Sequence, residues 1–115
     1  MKDKLAKVIK AHKKAVSDSD VLYGQLTKVL MASCPESSEE MSIKSAKQNI
    51  VMAVKSSKEW VQVFEMYMQF ETDDDSNPLS EDKIIGDMNE SGRSLEHLLE
   101  ACENAKVLIR LAQEE

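Results

Sequence analysis

Leu5–Leu30, LAKVIKAHKKAVSDSDVLYGQLTKVL, decides whether this chain is built from three helices or from four. Leu5, His12, Ser19 and Leu26 recur every seven residues, Val8, Ala15, Leu22 and Val29 follow three behind, and Ile9, Val16, Tyr23 and Leu30 flank both lines. At about 100° per residue these positions gather on one broad face of an α-helix. Ser17-Asp18-Ser19-Asp20 could cap a new helix, and a break there would create a four-helix arrangement. The register passes through that run without a change of phase, which predicts one unbroken element. Gly24 falls on its outer face, where glycine weakens a helix by roughly 1 kcal/mol without opening it.

The Cys34-Pro35 step ends this first helix, because the residue before proline is pushed out of the α region. Ser37 and Glu40 then have the spacing of a capping box for the next helix. There Ile43, Ile50, Ser57 and Phe64 form one line, and Ala46, Ala53, Trp60 and Tyr67 the other. Its first half is narrow and made of small residues. Its second half, Glu59–Phe70 (EWVQVFEMYMQF), holds four of the five aromatic residues, with Val61, Val63, Met66 and Met68 among them. These apolar positions cover an arc of roughly 220°, about twice what one packing contact needs. Trp60 falls level with His12 and with Ser91-Gly92, and the pairing of a large ring with small residues predicts Trp60 at the centre of the core.

Thr72–Pro78, TDDDSNP, reads as the second turn. Asn77 with Pro78, or Ser80 with Glu81 and Asp82 behind it, would start the third helix. The acidic run lacks the alternating ligand spacing and closing glutamate of an EF-hand, so it is expected to be a solvated turn. The third helix has Met88, Leu95, Cys102 and Ile109 in one line and Ile84, Ser91, Leu98, Ala105 and Ala112 in the other. Ile85, Gly92 and Leu99 widen that face, and Val107, Leu108 and Leu111 add apolar surface outside it.

The predicted fold is therefore all-α: an antiparallel up-down-up bundle of three long helices with coiled-coil-like packing, spanning about 3–33, 38–71 and 79–113 in a single domain of residues 1–115. The bulk composition agrees. Three glycines and two prolines leave long elements uninterrupted, and 115 residues give room for one core. No apolar run approaches the ~20 residues that span a bilayer. Two cysteines without an apolar leader lead us to expect reduced thiols in a cytoplasmic protein.

The net charge of −6 is unevenly spread: residues 1–33 carry +4, residues 34–72 carry −2, Asp73–Asp75 carry −3 and residues 76–115 carry −5. A basic first helix lying beside an acidic last one accounts for this. The alternative use of Lys2, Lys4, Lys7, Lys10, Lys13 and Lys14 is to bind an anionic membrane or nucleic-acid surface, which the overall acidity disfavours.

The chemistry-bearing residues do not assemble into a site. Cys34, Cys102, His12 and His97 fall at different levels of such a bundle, so no metal site and no disulfide is expected. His12 belongs to the apolar stripe, His97 to the surface, and Cys102 to the seam as a small core residue. The glycines are isolated, so none builds a phosphate loop, and no serine has a base and an orienting group within plausible reach. We expect no enzyme, no cofactor and no small-molecule substrate. The surplus apolar surface instead predicts a non-enzymatic protein–protein interaction module, an adaptor, chaperone or regulator that presents a Met/aromatic helical surface to a partner helix. Val63, Met66 and Phe70 lie toward one pole and Val107, Leu108 and Leu111 toward the other. A two-fold antiparallel homodimer would bring these two sets together.

Overall fold

The computed structural model describes residues 2–32, 37–70 and 80–114. Three helices account for nearly all of them: α1 (Lys2–Ala32), α2 (Ser37–Phe70) and α3 (Glu81–Glu114). Every pair of helices packs together, in a rod whose extents are 56 × 22 × 18 Å. α1 is unbroken. Ser19, in the middle of the possible break, is fully buried and donates its hydroxyl to the carbonyl of Val16 at 2.6 Å. Bonding back into its own helix lets a serine occupy a core position without interrupting the helix.

The central line of each predicted face is buried, while Tyr23, Ile85 and Leu99, expected to widen those faces, are exposed because no neighbouring helix covers their flank. Leu5, His12, Ser19 and Leu26 of α1, Ile43, Ile50, Ser57 and Phe64 of α2, and Ile84, Ser91, Leu98 and Ala105 of α3 are all buried. α3 starts as its sequence predicts: the Ser80 hydroxyl accepts from the amide of Lys83 at 3.1 Å, and the Ser80 carbonyl accepts from Ile84 at 3.2 Å. The first bond satisfies one of the amide groups that a helix start leaves without partners, and the second is the first backbone bond of the helix. At the start of α2, Glu40 pairs with Lys44 at 2.8 Å, one turn on, and the side chain of Ser37, its expected capping partner, lies outside the described residues. Cys34, Pro35 and the acidic turn with Asn77 and Pro78 lie outside the described residues.

The buried apolar residues form two clusters. The larger contains Ala15, Leu22 and Leu26 of α1, Ile43, Ala46 and Ile50 of α2, and Leu98, Ala101, Cys102, Ala105 and Ile109 of α3. The smaller contains Leu5 and Ile9, Phe64 and Tyr67, and Ile84. Each set draws on the start of α1, the end of α2 and the start of α3, or on their opposite ends, which is the antiparallel up-down-up order.

Trp60 departs from its predicted place. It is half-buried and packs against the smaller cluster, its ring stacked on Phe64 with centroids 5.5 Å apart and planes at 22°. Phe64 is the fully enclosed ring. An indole is too bulky to be enclosed on all sides by three helices in so thin a rod, whereas a phenyl ring one turn further along fits. Between the clusters the core is polar, with His12, Ser57 and Ser91 completely buried.

Candidate functional site

α2 and α3 enclose a shallow groove. One recess, of about 430 Å³, is lined by Met52, Ala53 and Ser56 of α2 and by Ser94, His97, Glu100 and Ala101 of α3. A second, of about 470 Å³, is lined by Met41, Ser42, Ser45 and Ala46 of α2 and by Val107 and Leu108 of α3. Asn49 and Asn104 border both, so the recesses form one continuous channel. From residue 41 to residue 56 it follows α2 for about 22 Å at 1.5 Å per residue, or four helical turns.

The local sequence explains its shape. On α2, Ser42, Ser45, Ala46, Asn49, Ala53 and Ser56 recur three or four residues apart, so small side chains share one face. Across from them α3 presents Ser94 and Ala101, and the hydroxyls of Ser56 and Ser94 join at 2.7 Å. This floor is low enough for another backbone to approach closely, and longer side chains rise at its rims. Among them Met41 (69% exposed), Met52 (63%) and Val107 (46%) are largely bare of packing, as is Leu111 (54%) one turn beyond Val107 on α3. Met31, at the end of α1 and the same pole of the rod, is 83% exposed. Isolated surface aliphatics are common, but a group of them at one pole, around a groove floored by small residues, is a candidate contact surface.

Of the residues predicted to make contacts, Val107 and Leu111 are exposed, while Leu108 is half-buried and packs against the larger cluster. Val63 and Met66 are half-buried against the smaller cluster, which together with Trp60, Val61 and Met68 takes up much of the aromatic arc. Tyr67 donates to Asp87 of α3 at 2.7 Å. The side chain of Phe70 lies outside the described residues. Apolar surface therefore remains at the pole of Met31, Met41, Val107 and Leu111. The signal for the groove was already present in the small residues of α2, whose three-and-four spacing matches that of a packing face.

Other chemistry is sparse. Among the described residues no three His, Cys, Asp or Glu side chains stand close enough to share a metal ion, and no helix is long and apolar enough to cross a membrane. Cys102 is a free, buried thiol; burial raises its pKa above the ordinary value, Lys106 opposes the shift, and Asp18 and Glu103 add to it. A thiol so disposed is a weak nucleophile and serves as a small core residue. His97 is exposed, as expected. On α1, Lys4, Lys7, Lys10, Lys13 and Lys14 are exposed, and Lys13 pairs with Glu65 of α2 at 2.8 Å. A shallower recess between α1 and α2 is bordered by Asp20, Tyr23, Val51 and Lys58, with Lys47 4.8 Å from the centre of the Tyr23 ring.

Set against known families, curated proteins and solved structures, the chain matches no family model, no curated protein and no solved structure.

Proposed function

We propose that this chain is a non-enzymatic protein-interaction module, and that its first partner is a second copy of itself, docked along the α2/α3 groove at the pole of Met41, Val107 and Leu111. The observation that supports this reading is the juxtaposition of a floor of small residues with exposed rim side chains. Burying such a surface contributes roughly 25 cal/mol per Å² of apolar area, and a two-fold pairing covers the same patch twice. The groove is open and shallow, its polar lining of serines, Asn49, Asn104, His97 and Glu100 is strung along four helical turns and does not converge on one point, and a helix fits it better than a small substrate does.

The experiment is sedimentation of the full chain over a range of concentrations. Wild type is expected to form a dimer at high micromolar concentration. The double substitution Val107→Glu with Leu111→Glu is expected to give monomer with an unchanged helical spectrum, because both side chains are exposed in the single subunit. A wild type that remains monomeric under the same conditions overturns the proposal.

A further inference from the structure

The polar belt between the two clusters contains an unusual group. On α1, His12 lies between Ile9 of the smaller cluster and Ala15 of the larger; on α2, Ser57 lies between Trp60 and Val54; on α3, Ser91 lies between Met88 and Leu95. All three have zero exposure. Ser91 donates to the carbonyl of Met88 at 2.9 Å, and Ser56 and Ser94 beside the belt are joined to each other. Both imidazole nitrogens of His12 and the hydroxyl of Ser57 are buried without a hydrogen-bond partner. A neutral imidazole in that position forgoes one donor and one acceptor bond, and a charged one would forgo far more.

Among the described residues no buried counter-ion stands ready for it. On α2, Lys58 and Glu59 are exposed and Glu65 is held by Lys13 at 2.8 Å. On α3, Glu90 and Arg93 are exposed, and half-buried Asp87 accepts from Tyr67 and lies 4.0 Å from Lys83. On α1, Lys13 and Lys14 point to solvent. Accordingly, burial lowers the pKa of His12 from the ordinary 6.5.

The two halves of α1 are held unequally. Beyond His12, Ala15, Leu22 and Leu26 are buried, with Val16, Val29 and Leu30 packed beside them. Before it the buried anchors are Leu5 and Ile9, with Val8 beside them, and the exposed Lys13–Glu65 pair lies just beyond His12. An exposed ion pair contributes little.

We propose that His12 is a proton-operated latch: when it takes up a proton, the first half of α1 undocks and uncovers Phe64, while the second half stays packed. The sign follows from linkage. The undocked segment exposes His12 and binds a proton below about pH 6.5, whereas the docked segment resists doing so. Docking is therefore fully favoured above that pH and weakens as pH falls, by up to about tenfold per unit until the buried ring itself protonates. Between about pH 7.5 and pH 5 this amounts to a loss of roughly 30-fold in the docking equilibrium, if the buried ring stays neutral throughout. The latch lies at the pole opposite Met41 and Leu111, so its test is independent of self-association.

Trp60, the single tryptophan, stacks on Phe64 in the smaller cluster and reports on that end of the rod. In the full chain, lowering the pH is expected to shift Trp60 emission to longer wavelength in a one-proton step below pH 6.5. Amide protection over residues 5–14 should fall over the same range, before that of residues 15–30. His12→Leu, which cannot titrate, should abolish the step. His12→Gln, neutral and closer in polarity, provides the same test should the leucine variant fold poorly, and His97→Gln should retain the wild-type step. The latch is overturned if the non-titrating His12 variants keep the step, or if wild-type protection over residues 5–14 is the same at about pH 5 as at pH 7.5.

Discussion

Ser57, Ser91 and Ser19 are three serines with no exposure, one on the buried face of each helix, and they should respond differently to the same substitution. The Ser57 hydroxyl has no hydrogen-bond partner, so folding strips it of water and returns nothing, a penalty of roughly 1–3 kcal/mol. Ser57→Ala removes that penalty and adds about 0.5 kcal/mol of helix propensity, less a few tenths for the space left by one oxygen. The expected result is a stabilisation of about 1–2 kcal/mol. Ser91 and Ser19 donate to the carbonyls of Met88 and Val16, at 2.9 and 2.6 Å. Truncating either loses a bond worth about 0.5–1.5 kcal/mol, which offsets or exceeds the gain in propensity and leaves a net change between about zero and a loss of roughly 1 kcal/mol. Urea unfolding followed by circular dichroism near neutral pH, where His12 is uncharged, measures all three. The midpoint should rise for Ser57→Ala at constant slope, because the surface exposed on unfolding is unchanged. A lower midpoint for Ser57→Ala would refute the reasoning. So would equal rises for all three variants, since helix propensity alone would then explain them.

Two further substitutions test the helices themselves. A Cβ added at Gly24 would meet nothing within 4 Å, so Gly24→Ala should raise stability by about 1 kcal/mol in the same unfolding assay. Ser80→Ala removes the acceptor for the Lys83 amide and should cost about 1 kcal/mol, with amide exchange accelerated in the first turn of α3 and nowhere in α1.

Much of the architecture was legible in the residue spacing. The line Leu5, His12, Ser19 and Leu26 marked the buried face of α1 although two of its four members are polar, because position on the helix outweighs the character of a single side chain. Ser80 was legible as a cap for the same local reason: its hydroxyl reaches an amide three residues away. The candidate surface was harder to read. Counting apolar residues around α2 pointed to Val63 and Met66, yet these rest half-buried on a cluster assembled from all three helices. A one-dimensional pattern gives the width of an apolar arc and not how much of it the neighbours cover. Conversely, Ala46 and Ala53 were legible as part of a narrow packing line of α2, but only the placing of Ala101 and Asn104 beside them makes a channel with Ser42 and Asn49.

The order and length of the helices and the faces that turn inward follow from local physics, in which each residue's φ/ψ preference and its place in the 3.6-residue turn act within a few neighbours. Three outcomes depended on which side chains from distant parts of the chain share one level of the rod. The enclosed ring is Phe64 and not Trp60, the imidazole of His12 is left without a partner between two apolar clusters, and Met31, Met41, Val107 and Leu111, four of the exposed aliphatics, share one pole. Volume, hydrogen-bond satisfaction and exposure are properties of the space between helices, and that space exists only once all three have packed.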